Sequence, residues 1–527
     1  MVYAVKHDGR HKARFVAGGH LTQAPDNSVY SSVVSLRSLR IVILAAELNN
    51  LEIMGADVGN AYLEALTNEK IYFIAGPEFA PFGLEGHTMV LYKALYGLRS
   101  SGQEWHKALS KTLKAEGFKP SLADPDVWMR KNDKLQLWEY ICVYVDDLAL
   151  AMENGRAFLD KLQKPIDAGG YGYKIKGDGP LTYHLGCDYY RDKDGTLAYQ
   201  PKKYIEKMME TYVRLFNTNP TPYTSALPPG DHPELDDSPL LEGPDITIYL
   251  SLIGQTHWLI NLGSIHVMQA VVALSAFRAA PRQGHLDRVK RVYGFVHKYK
   301  EAAIRIRTGI PNYQEIDNQY PDFDWAESVY GTEPEELPLN MPEPLGKWVR
   351  ITEYVDANLY FDLLSGRACT GILIFLNQTP IEWYSKKQST VATATFGSEF
   401  VAAKTAVEKA QDLRYTLRML GIPVDYRTYM FGDNASVITQ STIPHSQLAK
   451  RHHALAYHYV RESVANGTIR FVHIDGINNP ADCLTKFLGY QQWYPLLRPI
   501  LFWLGDTKDI PPDKRTPKKK KTSPQQD

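Results

Sequence analysis

Two rhythms of apolar and polar positions run along the chain, one of period two and one near 3.6, and the changes between them mark out its elements. Ile141–Val145 and Leu148–Met152 are short apolar runs of strand character, interrupted only by Asp146 and Asp147. They predict a hairpin with acids at its turn. Ser35–Asn49 has Leu39, Val42, Ile43 and Ala46 at helical spacing behind a capping serine. Gln103–Gly117 predicts a helix closed by glycine, and Pro201–Phe216 another. Leu181–Gln200 predicts two strands about the Asp192–Gly195 turn. Asn217–Pro244 and the acidic Pro311–Leu345 lack a period and predict linkers, with Asp236–Asp237 in the first as a solvated turn. Between them Asp245–Tyr299 is helical, broken at Pro281. Trp348–Leu504 is mixed again. It has strands at Arg350–Tyr360, Gly371–Leu376, Ile381–Ser385 and Arg427–Phe431, and a helix carrying Phe400, Ala403, Val407, Ala410, Leu413, Leu417 and Leu420. Thr516–Asp527, with Lys518–Lys521, predicts a disordered basic tail.

Length and charge narrow this picture. A chain of 527 residues exceeds one core and suggests three or four domains. Lys+Arg 59 against Asp+Glu 59 leaves no net charge, so any groove for a polyanion must be local. Cys142, Cys187, Cys369 and Cys483 are scattered without zinc spacing, which argues against a disulfide scaffold and for an intracellular protein. No apolar run reaches the ~18–20 residues of a membrane span. The stretch after Met1, VYAVKHDGRHKARF, is no signal peptide; it reads as the middle of a strand-rich domain, hence a truncated start.

The acids carry the chemistry. Adjacent carboxylates between buried strands are costly unless something neutralises them, and a divalent cation with oxygen ligands suits them. A two-metal site needs acids converging from separate elements, with metals about 3.5–4 Å apart. Asp57, in Ile53–Leu63, is the expected partner of Asp146 and Asp147. Side chains alternate faces along a strand, so both hairpin acids face inward only if the turn twists them; Asp146 is the expected primary ligand. A second set lies at element ends further on: Asp356, Glu399 on a first helical turn, Asp433 after a strand, and Asp482 after Pro480.

VYVDDL resembles the catalytic hairpin of reverse transcriptases, and DVGNAYL their first palm motif. HKARFVAGG, YKALYGLRSSGQEW and GFKPSLADPD, in that order, resemble the polymerase of copia-type retrotransposons. YVDANLY, SKKQSTVATATFGSEFVAA, GDNASV and NNPADCLTK resemble the ribonuclease H of the same elements. The resemblance implies a multidomain α+β and α/β protein. It has a right-hand polymerase of fingers, palm and thumb over residues 1–216, fingers truncated. A linker and helical connection follow over 217–345, then a ribonuclease H-like α/β domain over 346–505 and the tail over 506–527. It implies Mg²⁺, or Mn²⁺ in its place, on Asp57, Asp146 and Asp147 and on Asp356, Glu399, Asp433 and Asp482. Lys12 and Arg14 would meet incoming phosphates, and Tyr62 would crowd a 2′-hydroxyl. The implied partners are an RNA template, a DNA primer, an RNA–DNA hybrid and dNTPs, with no membrane, in a cytoplasmic particle or the nucleus. His452 falls where relatives have a Lys-His pair and is expected to cap or pack. Arg99-Ser100 stands where many relatives have Lys-Gln, and Ser264 and His266 where they carry Arg and Asp. The alternative is an element relic that folds and binds nucleic acid without catalysis.

Overall fold

The computed structural model describes residues 2–5, 11–22, 29–320, 322–331, 333–448 and 454–504. Helix α1 (Leu36–Asn49) starts where the Ser35 side chain accepts the Ser38 N–H, and ends at Asn50 in the left-handed region. Five strands follow: β1 (Glu52–Val58), β2 (Val127–Asn132), β3 (Leu137–Tyr144), β4 (Asp147–Met152) and β5 (Ile175–Pro180), with helix α2 (Ser101–Ala115) between β1 and β2. They form an antiparallel sheet in the order β5-β1-β4-β3-β2, extended by Lys119–Pro120. Both faces are covered. Tyr140, Cys142, Ala149 and Ala151 share a core with α1, whereas Ile141, Val143, Leu148 and Leu150 share one with Trp105, Leu109 and Leu113 of α2. Burial on both sides explains why the two hairpin runs are continuously apolar rather than alternating.

A hairpin of β6 (Cys187–Arg191) and β7 (Leu197–Gln200) precedes helix α3 (Lys202–Phe216), and helices α4 (Pro244–Asn261), α5 (Met268–Ser275) and α6 (Gln283–Lys298) follow. The chain then returns as β8 (Ile304–Arg305) to pair with β7. The last sheet holds β9 (Val349–Asp362), β10 (Arg367–Leu376), β11 (Thr379–Lys387), β12 (Val424–Gly432) and β13 (Ile469–His473), in the order β11-β10-β9-β12-β13. Its first three strands are antiparallel, while β12 joins β9 and β13 in parallel. Helix α7 (Thr395–Met419) makes the crossover, with Ala402, Ala403, Ala406 and Ala410 fully buried against the sheet. Helix α8 (Tyr490–Leu501) closes the described part. The region is mixed α/β, as expected of Trp348–Leu504.

One apolar cluster runs from α1 through α4–α6 into the last sheet. Arg40 pins the junction: it donates to Tyr199 Oη at 3.1 Å and to the Ile381 carbonyl at 3.1 Å, and stacks 4.2 Å over Trp383. The four cysteines are buried free thiols. No helix among the described residues is long and apolar enough to cross a membrane.

Both expected linkers are docked rather than free. Asp236 is not a solvated turn residue: it pairs with Arg288 of α6 at 2.5 Å and accepts the Ser238 N–H at 3.0 Å, while Asp237 beside it is exposed. The acidic 311–345 stretch is a strap on the last domain. Asp317 meets Arg470 at 2.7 Å, and Glu335 accepts from Arg414 and Arg418 of α7. Burial opposes the Glu335 charge, but the hydrogen bonds from Arg418 and Arg414 outweigh it and hold the carboxyl at about 2. Its acids are neutralised by basic side chains far along the chain, which composition alone could not show. Glu335→Gln strands the buried Arg414 guanidinium and is expected to cost about 3 kcal/mol in urea unfolding. An unchanged midpoint would show that the strap adds nothing to stability.

Candidate active sites

The first acid cluster is built by strand register. Asp57 of β1 lies directly opposite Asp147 of β4, so the two carboxylates share one sheet face. Asp146 lies in the two-residue loop between β3 and β4, its carbonyl accepting the Val58 N–H at 2.8 Å. The required twist is present: Val145 takes φ 58°, in the left-handed region that two-residue hairpin loops favour. This is costly for a β-branched residue. Trp105 of α2 holds it, its indole N–H donating to the Val145 carbonyl at 2.7 Å. Burial and the neighbouring Asp57 raise the Asp146 carboxyl, against the pull of Lys12 and Arg14. Burial, then the charges of Asp146 and Asp57, push Asp147 up to about 6.

Tyr62 stands on a single turn, Ala61–Glu64, just past β1, its ring centroid 4.9 Å from that of Tyr96. The Arg14 guanidinium lies 5.1 Å over the Tyr96 ring. Lys12 and Arg14 share the strand His11–Arg14. The 16–19 segment reaches the site because Gly97, at φ 91°, has no side chain. A Cβ there would stand 2.1 Å from the Ala17 carbonyl oxygen. Arg99 completes the contact, donating to the Gly19 carbonyl at 3.0 Å.

The second cluster is tighter. Asp356 in the middle of β9, Asp433 just past β12 and Asp482 on the short turn Pro480–Leu484 bring carboxylate oxygens within 4.8 Å of one another. No other acid trio among the described residues is drawn so close, the Asp57 set included. Asn479 seats the turn, its side chain accepting the Ala481 N–H at 3.1 Å and donating to the Val355 carbonyl at 2.9 Å. Gly371, opposite Asp356, lets the turn approach, since a Cβ there would meet the Ala481 carbonyl oxygen at 2.9 Å. Glu399 falls outside the trio. Helix α7 begins at Thr395, so Glu399 sits one turn deeper than expected. Burial, then Asp356 and Asp433, hold its carboxyl well above the usual range. His452 lies outside the described residues.

Lys486 reaches into this cluster, its Nζ 2.7 Å from Asp482 and 3.3 Å from Asp356. Thr485 donates its hydroxyl to Asp356. One ammonium does not balance four acids, and burial, then Asp356, push Asp482 up to about 7 despite Lys486. Hard oxygen donors converging from separate elements, with charge left over, fit a divalent cation. A carboxyl raised in the folded state binds a proton there that the unfolded chain has released, so its contribution to stability falls as pH rises from about 4 to about 7. The gain in melting temperature from Asp482→Asn over the parent, without metal, is therefore expected to be small at pH 5 and larger at pH 8. A gain that shrinks with pH would reverse the sign of the electrostatics.

Residues 1–226 match the family reverse transcriptase (RNA-dependent DNA polymerase). The chain is 26% identical over 482 residues to the retrovirus-related Pol polyprotein from transposon RE2 of Arabidopsis thaliana, covering 90% of this chain and 30% of that one. It is 24% identical over 504 residues to the corresponding polyprotein from transposon TNT 1-94 of Nicotiana tabacum, covering 92% and 34%. Residues 1–226 thus match a reverse transcriptase family model, and about nine-tenths of the chain is similar to copia-type Pol polyproteins. It spans about a third of the length of these curated relatives. A foamy viral protease-reverse transcriptase in complex with ds DNA aligns over 90% of this chain and 64% of that one, at 14% identity and TM-score 0.42, too loose a likeness to argue from.

In the reverse transcriptase domain the residue that sequence reasoning passed over is Tyr96. Its ring packs on Tyr62, and burial, then the charge of Asp146, raise its hydroxyl. Its signal was its place in the LYGL motif, directly before a glycine that the site needs. Lys486 was similarly legible only as the end of NNPADCLTK. Its spacing of four residues after Asp482 is the hint that both face one way.

Proposed function

We propose that this relative of copia-type Pol polyproteins is an RNA-directed DNA polymerase with an attached nuclease for the RNA strand of RNA–DNA hybrids. What carries the reading is that one chain holds two carboxylate clusters on two separate sheets, each gathered from elements distant in sequence. Asp57, Asp146 and Asp147 would hold Mg²⁺ at the first, and Asp356, Asp433 and Asp482, backed by Glu399, at the second. The bound ions would supply charge stabilisation for the attacking and leaving oxygens. The chain itself contributes positioning. The twisted Val145 loop presents both hairpin acids, Lys12 and Arg14 offer charge to the phosphates of a dNTP, and the Tyr62 ring limits room for a 2′-hydroxyl. Residues 1–216 would be the polymerase, 217–345 the connection with its strap, and 346–505 the nuclease, working inside the cell on an RNA template, a DNA primer and their hybrid.

The test is primer extension on an RNA template with dNTPs and Mg²⁺, run beside cutting of a labelled hybrid. Extension lost in Asp146→Asn and cutting lost in Asp356→Asn, each without the other, is the expected pattern. A second reading, a folded relic, rests on Ser264 and His266. The Ser264 hydroxyl and both His266 ring nitrogens are buried without hydrogen-bond partners among the described residues. Neither activity from the intact protein would establish that reading.

A further inference from the structure

A groove of about 990 Å³ opens beside the nuclease cluster. Tyr354 and Phe375 of the sheet, Asn478, Asp482, Gln491 and Arg307 are among the residues that line it. The two arginines that line it differ. Arg305 is committed to Asp192 at 2.6 Å and also pairs with Asp194. The Arg307 guanidinium has no ion pair or hydrogen bond among the described residues, though its backbone is tied to Thr379. It is half-buried, and burial, then the nearby charge of Arg305, work against its own charge. The nearby acids that favour its charge, Asp194 and Asp192, are already paired with Arg305, and an anion in the groove would meet the remaining cost of burying this cation.

We propose that this groove binds a single-stranded stretch of the nucleic acid strand whose neighbouring phosphodiester lies at the Asp356–Asp433–Asp482 cluster. Three features favour a polynucleotide. The volume is at the upper end of small-ligand sites and suits two or three nucleotides. Aromatic lining residues and side-chain amides suit bases, and an uncommitted guanidinium suits a phosphate. Asp482 of the carboxylate cluster also lines the groove, so a strand held in one lies beside the other. This inference rests on the nuclease reading of that cluster.

Binding without cutting tests it. The full chain in EDTA is titrated against a labelled RNA–DNA hybrid, either blunt or with a four-nucleotide RNA overhang at the 5′ or the 3′ end, and read by fluorescence anisotropy. One overhang polarity is expected to bind about fivefold or more tighter than the blunt hybrid. Arg307→Ala should remove that gain and leave blunt affinity unchanged, and Gln491→Ala should reduce the gain. Equal affinity for blunt and overhung hybrids would overturn the proposal, as would an Arg307→Ala loss equal on both. No binding of any hybrid, with a free RNA oligonucleotide still held through Arg307, would keep the groove while the nuclease reading fails. An acidic peptide held through Arg307, with no oligonucleotide bound, would overturn the nucleic-acid assignment.

Discussion

Asp146→Asn is expected to lower primer extension on an RNA template by about 1000-fold or more, while hybrid cutting changes by less than about twofold. Outer-shell partners of metal ligands typically cost about 10–100-fold, and a carboxylate that itself holds the ion should exceed that. The substitution removes a charge but keeps the shape, so the loop carrying Val145 at φ 58° and its hydrogen bond from Trp105 survive. Asp146 is already raised by burial and by Asp57, so its loss relieves repulsion and the variant should fold at least as well as the parent. That makes the readout chemical rather than structural. Equal extension by variant and parent would remove Asp146 from the site; a matching loss of hybrid cutting would mean that the two clusters are not independent.

The second large effect is at the Asp356–Asp433–Asp482 cluster. Asp356→Asn is expected to cut hybrid cleavage by a similar factor, leave extension intact and remove this cluster's share of the cation's effect on stability. A cation that binds only the folded cluster stabilises it by about 2.7 kcal/mol at one hundred times its dissociation constant. The parent's melting should therefore rise with added Mg²⁺, and the rise should be smaller in Asp356→Asn, where only the Asp57 cluster is left to bind the ion. Lys486 sharpens the expectation, since its ammonium touches both Asp356 and Asp482 and stabilises the cluster before any cation arrives. Should Mg²⁺ raise the melting of parent and variant alike, the ion would be binding elsewhere.

The two clusters were legible to different depths. VYVDDL announces two buried strands and acids at their join because strand and turn propensities are local, and Asp57 follows because its run has the same character. What could not be read was the handedness of the loop. A valine at positive φ runs against local preference and persists only because Trp105, from a helix 40 positions earlier, clamps its carbonyl. Glu399 shows a smaller shift of the same kind, where the helix starts at Thr395 and leaves the acid behind the trio. Tyr96 and Lys486 sat inside recognised motifs, yet only contacts with Tyr62 and with the acids gave them work.

By itself, then, the sequence determined much of the run of helices and strands, the mixed α/β character of both halves, the seven candidate acids and the family they resemble. All of these rest on residues close together in the chain, or on motifs read in order. Only the tertiary structure decided that the acidic stretches are straps and not free linkers. Asp236 depends on Arg288, and Glu335 on Arg414 and Arg418 some 80 positions on. It alone tied α1 to the last sheet through Arg40, and left the Arg307 guanidinium without an ion pair among the described residues in the lining of a groove. Charge pairing and close packing act through space, so a residue's partner is settled by the folded path of the chain and not by its neighbours in sequence.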